Sequence, residues 1–402
     1  MDPRWKKTLP GALALVLFVA LLARTVLQLE RAPALNADML PAMALALEWE
    51  EKDPLELHRR TYALARAELP PERFAQLTAA GVLRARAEDP AAFHEHLPFY
   101  RGRVLYTLGI WALHRLGAPL SAATYWIPLA CYALCAGLFL AWASRHLPLA
   151  LAALFALGLA ATPALLAQAR LSTADGLGTL LTCLGAWALL ERRSFALGAG
   201  FLTLAIAARP DALILVGCSA AALFALVPRA ERPGAGVLGA WLALALALVL
   251  GLQRFSGEYG WWPLIQISFV EKAVHPAALA SEVDWGEYGA LLARQLAALP
   301  GGGYTSTPAS EVTGSSLVFV YATLALLGLA FGRTQRQSAA FLTALLAAYS
   351  LRFLLFPQLW DRFYAPFYAL VPLCLLATLA SELRARSELP TLPSVPQPKR
   401  IP

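Results

Sequence analysis

Ten apolar runs that read as membrane helices constrain this chain more than any other feature. They cover 9–29, 120–143, 147–166, 174–190, 194–209, 211–228, 235–253, 314–331, 338–356 and 363–381. A crossing helix needs ~20 residues, because it rises ~1.5 Å per residue through ~30 Å of hydrocarbon. In that solvent every backbone N–H and C=O must be paired within the chain, which makes helix the natural structure for such runs. Composition points the same way: 58% of the 402 residues are hydrophobic and 15% charged, where soluble domains carry roughly a quarter charged. The expected fold is all-α, a polytopic transmembrane helix bundle of about ten spans.

The basic residues give the threading. Arg4, Lys6 and Lys7 precede the first run, and Arg145, Arg192 with Arg193, Arg229 with Arg232, Arg333 with Arg336, and Arg384 with Arg386 sit in alternate gaps. Ten crossings put all of them on one side, which the positive-inside rule makes cytoplasmic, together with both termini. The first run exceeds the ~7 to 15 apolar residues of a signal peptide and reads as an anchor. Arg103 to Gly117 is short and ends in His114 and Arg115. Counting it as a span would move the later basic clusters outside, so it is assigned to an amphipathic helix at the outer interface. Two long outer loops follow, 30–119 and 254–313. In the first, Met39 to Glu50 and Glu72 to Arg86 read as surface helices, separated by Pro54, Pro70, Pro71 and Pro90. Residues 1–383 form a single transmembrane domain without internal repeats. Residues 384–402 form a cytoplasmic tail, proline-rich and disordered from Pro390.

Several functions are disfavoured. All five cysteines lie in apolar runs, which suits neither a disulfide framework nor a metal cluster. The net charge of +7 is accounted for by short cytoplasmic clusters rather than a nucleic-acid face. His94-Glu95-His96 lacks a third metal ligand. There is no phosphate-binding glycine loop after a strand and no nucleophile-elbow serine.

Ionisable residues at the outer ends of spans are the candidates for chemistry, because charge at membrane depth is costly and is retained for a use. Asp38 can act as a general base at the membrane surface or as the N-cap of the helix that follows. In Arg170-Leu171-Ser172-Thr173-Ala174-Asp175 the last residue is either a second functional carboxylate or one of three possible caps. Arg209 in Arg209-Pro210-Asp211, and Arg352 and Arg362 flanking Phe356 to Asp361, suit a lipid phosphate. Pairing with Asp211 and Asp361, or snorkelling, explains them equally well. Tyr100, Arg101 and Arg103 stand beside the interfacial helix, as headgroup contacts or as anchors. Phe255, Tyr259, Trp261 and Trp262 either stack on a sugar or belong to an aromatic belt.

In order and placement these strings resemble the GT-C superfamily of membrane glycosyltransferases, especially its protein O-mannosyltransferase and lipid A aminoarabinose transferase branch. The similarity extends from Asp38 to about Tyr368. It is carried by Asp38 with Ala42-Met43-Ala44-Leu45-Ala46, Tyr100 to Tyr106, Ala169 to Asp175, Ala208 to Ile214, and Asp361 to Pro366. Met39 stands where many relatives have a second acid, and the aminoarabinose branch's lysine-proline-proline string is absent. The resemblance implies transfer of a sugar from a polyprenyl-phosphate carrier to a glycan, lipid or protein acceptor at the outer face. Asp38 would be the base, Asp175 would orient the acceptor, and Arg101, Arg103, Arg209, Arg352 and Arg362 would serve the phosphate, without need of a metal. Carriers of lipid-linked sugars and oligosaccharide polymerases or ligases are the alternatives. Arginine outnumbers lysine and alanine is abundant, as in GC-rich bacteria, which places the chain in an inner membrane with its active face toward the periplasm.

Overall fold

The structure, a computed structural model, describes residues 3–257, 259–270, 273–298, 315–331, 336–358 and 360–387. The tail from Pro390, the segment 299–314 of the second loop, and Arg333 lie outside the described residues. The described residues are helical apart from turns, short connections and isolated bridging residues such as the parallel pair Ala34 and Leu171; the helices are α except for a π-helical turn at Gln266–Val270 and a 3-10 turn at Pro276–Ala278. In chain order come α1 (Pro3–Arg31), then α2 (Met39–Leu47), α3 (Pro54–Glu68), α4 (Pro71–Thr78), α5 (Gly81–Glu88), α6 (Pro90–His96), α7 (Pro98–Arg101) and α8 (Val104–Arg115). They are followed by α9 (Leu120–Ala143), α10 (Leu149–Ala160), α11 (Pro163–Arg170), α12 (Asp175–Leu190), α13 (Phe195–Ala208), α14 (Ala212–Leu226) and α15 (Ala235–Ser256). The last are α16 (Trp261–Ile265), α17 (Trp285–Ala298), α18 (Ser315–Phe331), α19 (Arg336–Leu355) and α20 (Asp361–Ser387).

Every one of the ten apolar runs is helical, but their lengths divide them. Pro10–Arg31, Leu120–Ala143, Ala235–Ser256, Arg336–Leu355 and Asp361–Arg384, of 20 to 24 residues, are long and apolar enough to cross a membrane. The run 147–166 instead forms α10 and α11, bent by 62°. Pro163, at the first turn of α11, has no N–H to continue the ladder of α10. The runs 174–190, 194–209, 211–228 and 314–331 give α12, α13, α14 and α18, of 16, 14, 15 and 17 residues. At ~1.5 Å per residue these are about 21 to 26 Å long, short of a full ~30 Å crossing. Among the described residues the all-helical chain therefore has five candidate spans by length, and a sixth if the bent pair is one crossing.

The bundle core joins α9 to α15 with α19 and α20 through Phe139, Trp142, Val216, Leu345, Phe367 and Leu370. α1 packs at its edge and leaves Leu13, Val16 and Val19 exposed, as suits a lipid-facing helix. α12 and α13 meet backbone to backbone at Gly185 and Gly198. A Cβ on Gly185 would stand 2.7 Å from Leu202 Cγ, so small residues set this approach.

The first long segment is not a loose loop. α2, expected on the surface, is wholly buried. Its Met-Leu-Pro-Ala-Met-Ala-Leu-Ala-Leu carries no charge, and the acidic residues begin only at Glu48. It forms a second core with Leu57, Phe93, Tyr106 and Ile110. The expected helix at 72–86 is two, α4 and α5, broken where Gly81 takes φ +53°, a left-handed conformation that glycine adopts without strain. α8 is twelve residues long, too short to cross, and packs on α9 and α2.

Both long segments lie at one end of the bundle. Arg101 Nη1 donates to the Ser256 carbonyl at 3.3 Å, and His275 lies 3.4 Å from Asp89 and 3.2 Å from Glu95. The short basic turns gather at the other end, where Glu191 accepts from Trp142 Nε1 at 2.8 Å and pairs with Arg145 at 3.1 Å, and Arg384 reaches the Arg145 carbonyl at 3.2 Å.

Candidate functional site

Asp38 occupies the N-cap position of α2, yet its side chain accepts no capping hydrogen bond. The carboxylate instead accepts from the Tyr100 hydroxyl at 3.2 Å and lies 3.5 Å from Arg103 Nη1. Arg103 also stands over the Tyr100 ring, 4.9 Å from its centroid. Burial, reinforced by the Asp38 charge, pushes the Tyr100 phenol up to about 12, so it remains a hydrogen-bond donor. Asp38 and Arg103 keep 18% and 31% of their side-chain surface open, which leaves both reachable. The capping explanation of Asp38 does not account for this geometry.

Asp38 is held in register with Asp175 by backbone lacing. Ala34 N donates to Arg170 O at 2.9 Å, Arg170 Nε to Ala32 O at 2.9 Å, and Ser172 N to the Asn36 side chain at 3.0 Å. Burial, followed by the charges of Asp38 and Asp175, holds the Tyr106 phenol well above the ordinary range, and its hydroxyl donates to the Thr124 carbonyl at 2.5 Å.

Asp175 likewise forms no cap. It is buried and bonded by Arg209 Nη1, it accepts from Thr173 Oγ1 at 3.1 Å, and Arg362 Nε stands 3.7 Å away. Arg209 also forks onto Asp211, Nε at 3.0 Å and Nη2 at 2.9 Å. Arg352 Nε meets the same Asp211 carboxylate at 2.9 Å, and its Nη1 donates to the Phe363 carbonyl at 2.7 Å. The guanidinium groups of Arg209, Arg352 and Arg362 lie 4.9, 4.4 and 5.1 Å from the centre of the Phe363 ring. Such cation–π contacts contribute ~0.5 to 2 kcal/mol each. Three arginines against Asp175 and Asp211 leave one positive charge, and Arg103 acts on both aspartates electrostatically.

This cluster opens on a cavity of about 50 Å³ lined by Gln168, Asp175, Thr179, Arg209, Arg352 and Tyr349. Tyr349 also lines a second cavity of about 300 Å³, whose other walls include Val318, Phe319, Phe353 and Phe367. A small charged chamber and a larger apolar one thus share one wall.

The remaining sequence candidates separate. Arg101 is engaged by Glu48, with Nη2 to Oε1 at 2.7 Å and Nε to Oε2 at 3.1 Å, and joins the two long segments rather than facing Asp38. Asp361 accepts from the Tyr368 hydroxyl at 2.8 Å, while the cation it was expected to pair, Arg362, turns toward Asp175. Phe255 stacks on Trp49, Tyr259 packs on Phe99, and Trp261 donates to the Leu355 carbonyl at 2.7 Å, so these rings hold loop to loop. His96 Nδ1 lies 2.7 Å from its own helix at Ala92 O, and among the described residues no group of three His, Cys, Asp or Glu is placed to hold a metal.

Sequence reasoning passed over Gln168, Thr179 and Tyr349. Gln168 donates to the Arg362 carbonyl and accepts from Thr179 at 2.9 Å. A glutamine inside an apolar run was the available signal. Tyr349 lies three residues before Arg352, on the same helix face.

Comparison with known protein families, with curated proteins and with solved structures yields no match.

Proposed function

We propose that this chain is a membrane glycosyltransferase that moves a sugar from a polyprenyl-phosphate carrier to an acceptor hydroxyl or amine at the outer face. The observation that carries the reading is the Asp38 carboxylate, released from capping and partly open, between Tyr100 and Arg103 and in register with the arginine cluster. A base there takes the acceptor's proton as its oxygen or nitrogen bonds to the anomeric carbon. The anomeric C–O bond to phosphate breaks, and the electron pair leaves on the lipid phosphate, already an anion that needs no proton. Arg103, Arg352 and Arg362 stabilise the growing charge through fixed donors. Asp175, tied to Arg209, orients the cluster. The phosphate suits the charged chamber and the prenyl chain the apolar one beyond Tyr349.

In this reading α12, α13, α14 and α18 complete ten crossings, and their short length sets the charged turns below the outer surface, where water screens them less. The basic turns then face the cytoplasm, and the similarity of the strings from Asp38 to Pro366 to the GT-C superfamily points to the same chemistry. The test uses purified protein in proteoliposomes with a radiolabelled polyprenyl-phosphate sugar and envelope acceptors. Label transferred to acceptor supports the reading. Label moved across the bilayer without transfer would make the chain a carrier instead.

A further inference from the structure

At the end of the bundle opposite Asp38 and Arg209, the ends of α12, α13, α14 and α19 enclose a cavity of about 190 Å³. Leu189, Leu190, Phe195, Leu223 and Phe341 give it apolar walls, and Arg193, Glu231 and Gln337 give it polar ones. The neighbouring cations are engaged elsewhere. Arg192 lies over the Trp187 ring at 4.8 Å and Arg232 over the Phe224 ring at 4.1 Å. Gln337 donates to the Glu231 backbone carbonyl at 3.3 Å, which fixes the turn carrying the carboxylate. Among the described residues, no carboxylate lies within ion-pair distance of Arg193 and no cation within ion-pair distance of Glu231.

Arg193 carries a second sign of use. Its φ is +52°, the only positive value at a described non-glycine residue. Glycine is the ordinary occupant of such a position after a helix, and a side chain there costs of order 1 kcal/mol. An arginine that keeps this conformation while lacking an acidic partner is a donor held toward the cavity mouth.

We infer that this cavity binds a zwitterionic aminophospholipid headgroup, its phosphate on Arg193 and its ammonium on Glu231. One cation and one anion, both exposed at the mouth of one apolar-walled chamber and without an ion-pair partner among the described residues, match a headgroup with one charge of each sign. A primary ammonium gives Glu231 charge-assisted hydrogen bonds, whereas a quaternary choline has no N–H to donate, and a glycerol headgroup offers only neutral hydroxyl donors without the opposite charge. The inference is independent of the transferase reading, since the cavity lies at the other end of the bundle.

Native mass spectrometry of the full chain with added phosphatidylethanolamine, phosphatidylcholine or phosphatidylglycerol tests it. Wild-type protein retains phosphatidylethanolamine about tenfold over phosphatidylcholine, the ratio one charge-assisted contact supports. Glu231→Gln removes that preference while keeping phospholipid. Arg193→Gly, which suits the left-handed backbone and keeps or raises the thermal midpoint, lowers retention of all phospholipids several-fold. Wild-type retention in both variants, or preference of the wild type for phosphatidylglycerol, would overturn the assignment.

Discussion

Asp175→Asn probes whether the arginine cluster is a buried electrostatic unit or a screened surface patch. The wild-type chamber sets Arg209, Arg352 and Arg362 against Asp175 and Asp211, a balance of plus one, and the substitution makes it plus two. Asp175 and Arg362 keep only 8% and 9% of their side-chain surface open, so water does little to screen the change. Truncating one partner of a buried pair costs ~3 to 5 kcal/mol, and since Asn keeps the shape and one acceptor the expected loss is near ~3 kcal/mol. Arg84→Gln is the control: Arg84 and Glu88 pair at 2.8 Å with 65% and 64% of their side chains exposed, and water screens such pairs so that they contribute little. Denaturant titration in detergent micelles, followed by tryptophan fluorescence, reads both. Inorganic phosphate should restore part of the Asp175→Asn loss, because an anion replaces the missing charge. If Asp175→Asn destabilises no more than Arg84→Gln, the cluster is water-filled and the burial argument is wrong.

Arg101 and Arg103, two residues apart, should behave differently. Arg101→Gln breaks the two-bond contact to Glu48 and costs ~1 to 3 kcal/mol of stability, whereas Arg103→Gln changes the unfolding midpoint little and lowers kcat; equal effects on both readouts would contradict the division of labour. The outer-segment histidines predict acid sensitivity. Burial, followed by the charge of Arg86, lowers His96 from 6.5 to about 4, and burial also lowers His58 and His94. Between those two pH values the unfolded chain binds more protons, so stability rises with pH there and is lost on acidification. For His96 the loss is about 3 kcal/mol in all, checked by unfolding midpoints against pH with His96→Gln reducing the slope. At the α12–α13 contact, Gly198→Ala collides with Leu189 and costs ~1 to 3 kcal/mol. Gly200→Ala on the same helix meets nothing within 4 Å and stabilises by up to ~1 kcal/mol; a shared sign would refute the close-packing account.

What the sequence made legible follows from what hydropathy measures. It located the apolar helices of the bundle, with α10 and α11 read as one, because apolar runs in lipid have no other way to pair their backbone. Pro163 breaks the run 147–166 into α10 and α11, whereas 174–190, 194–209 and 211–228 are helical to within two residues of their expected ends. Hydropathy read α2 as a surface helix because Glu48 and Glu50 were counted with a stretch that is apolar on all sides. For the site, membrane threading brought Asp175, Arg209, Arg352 and Arg362 to a common end, and the structure places them in contact. Asp211 was legible as a partner of Arg209 and Arg352; Arg101 with Glu48, and Arg362 near Asp175, are settled by helix rotation and depth, which a charge pattern does not encode. Of the two readings of Asp38, the structure bears only on the cap, whose side-chain hydrogen bond is absent.

The most direct measurement is sugar transfer by purified Asp38→Asn and Asp38→Glu protein from a labelled polyprenyl-phosphate donor, across a range of pH. Removing a general base costs ~10²- to 10⁴-fold in kcat. Asp38→Asn should therefore lose at least about a hundredfold with donor KM little changed, and Asp38→Glu should recover part of it. Turnover by Asp38→Asn equal to wild type, with an unchanged pH profile, would contradict the assignment of Asp38 as the base.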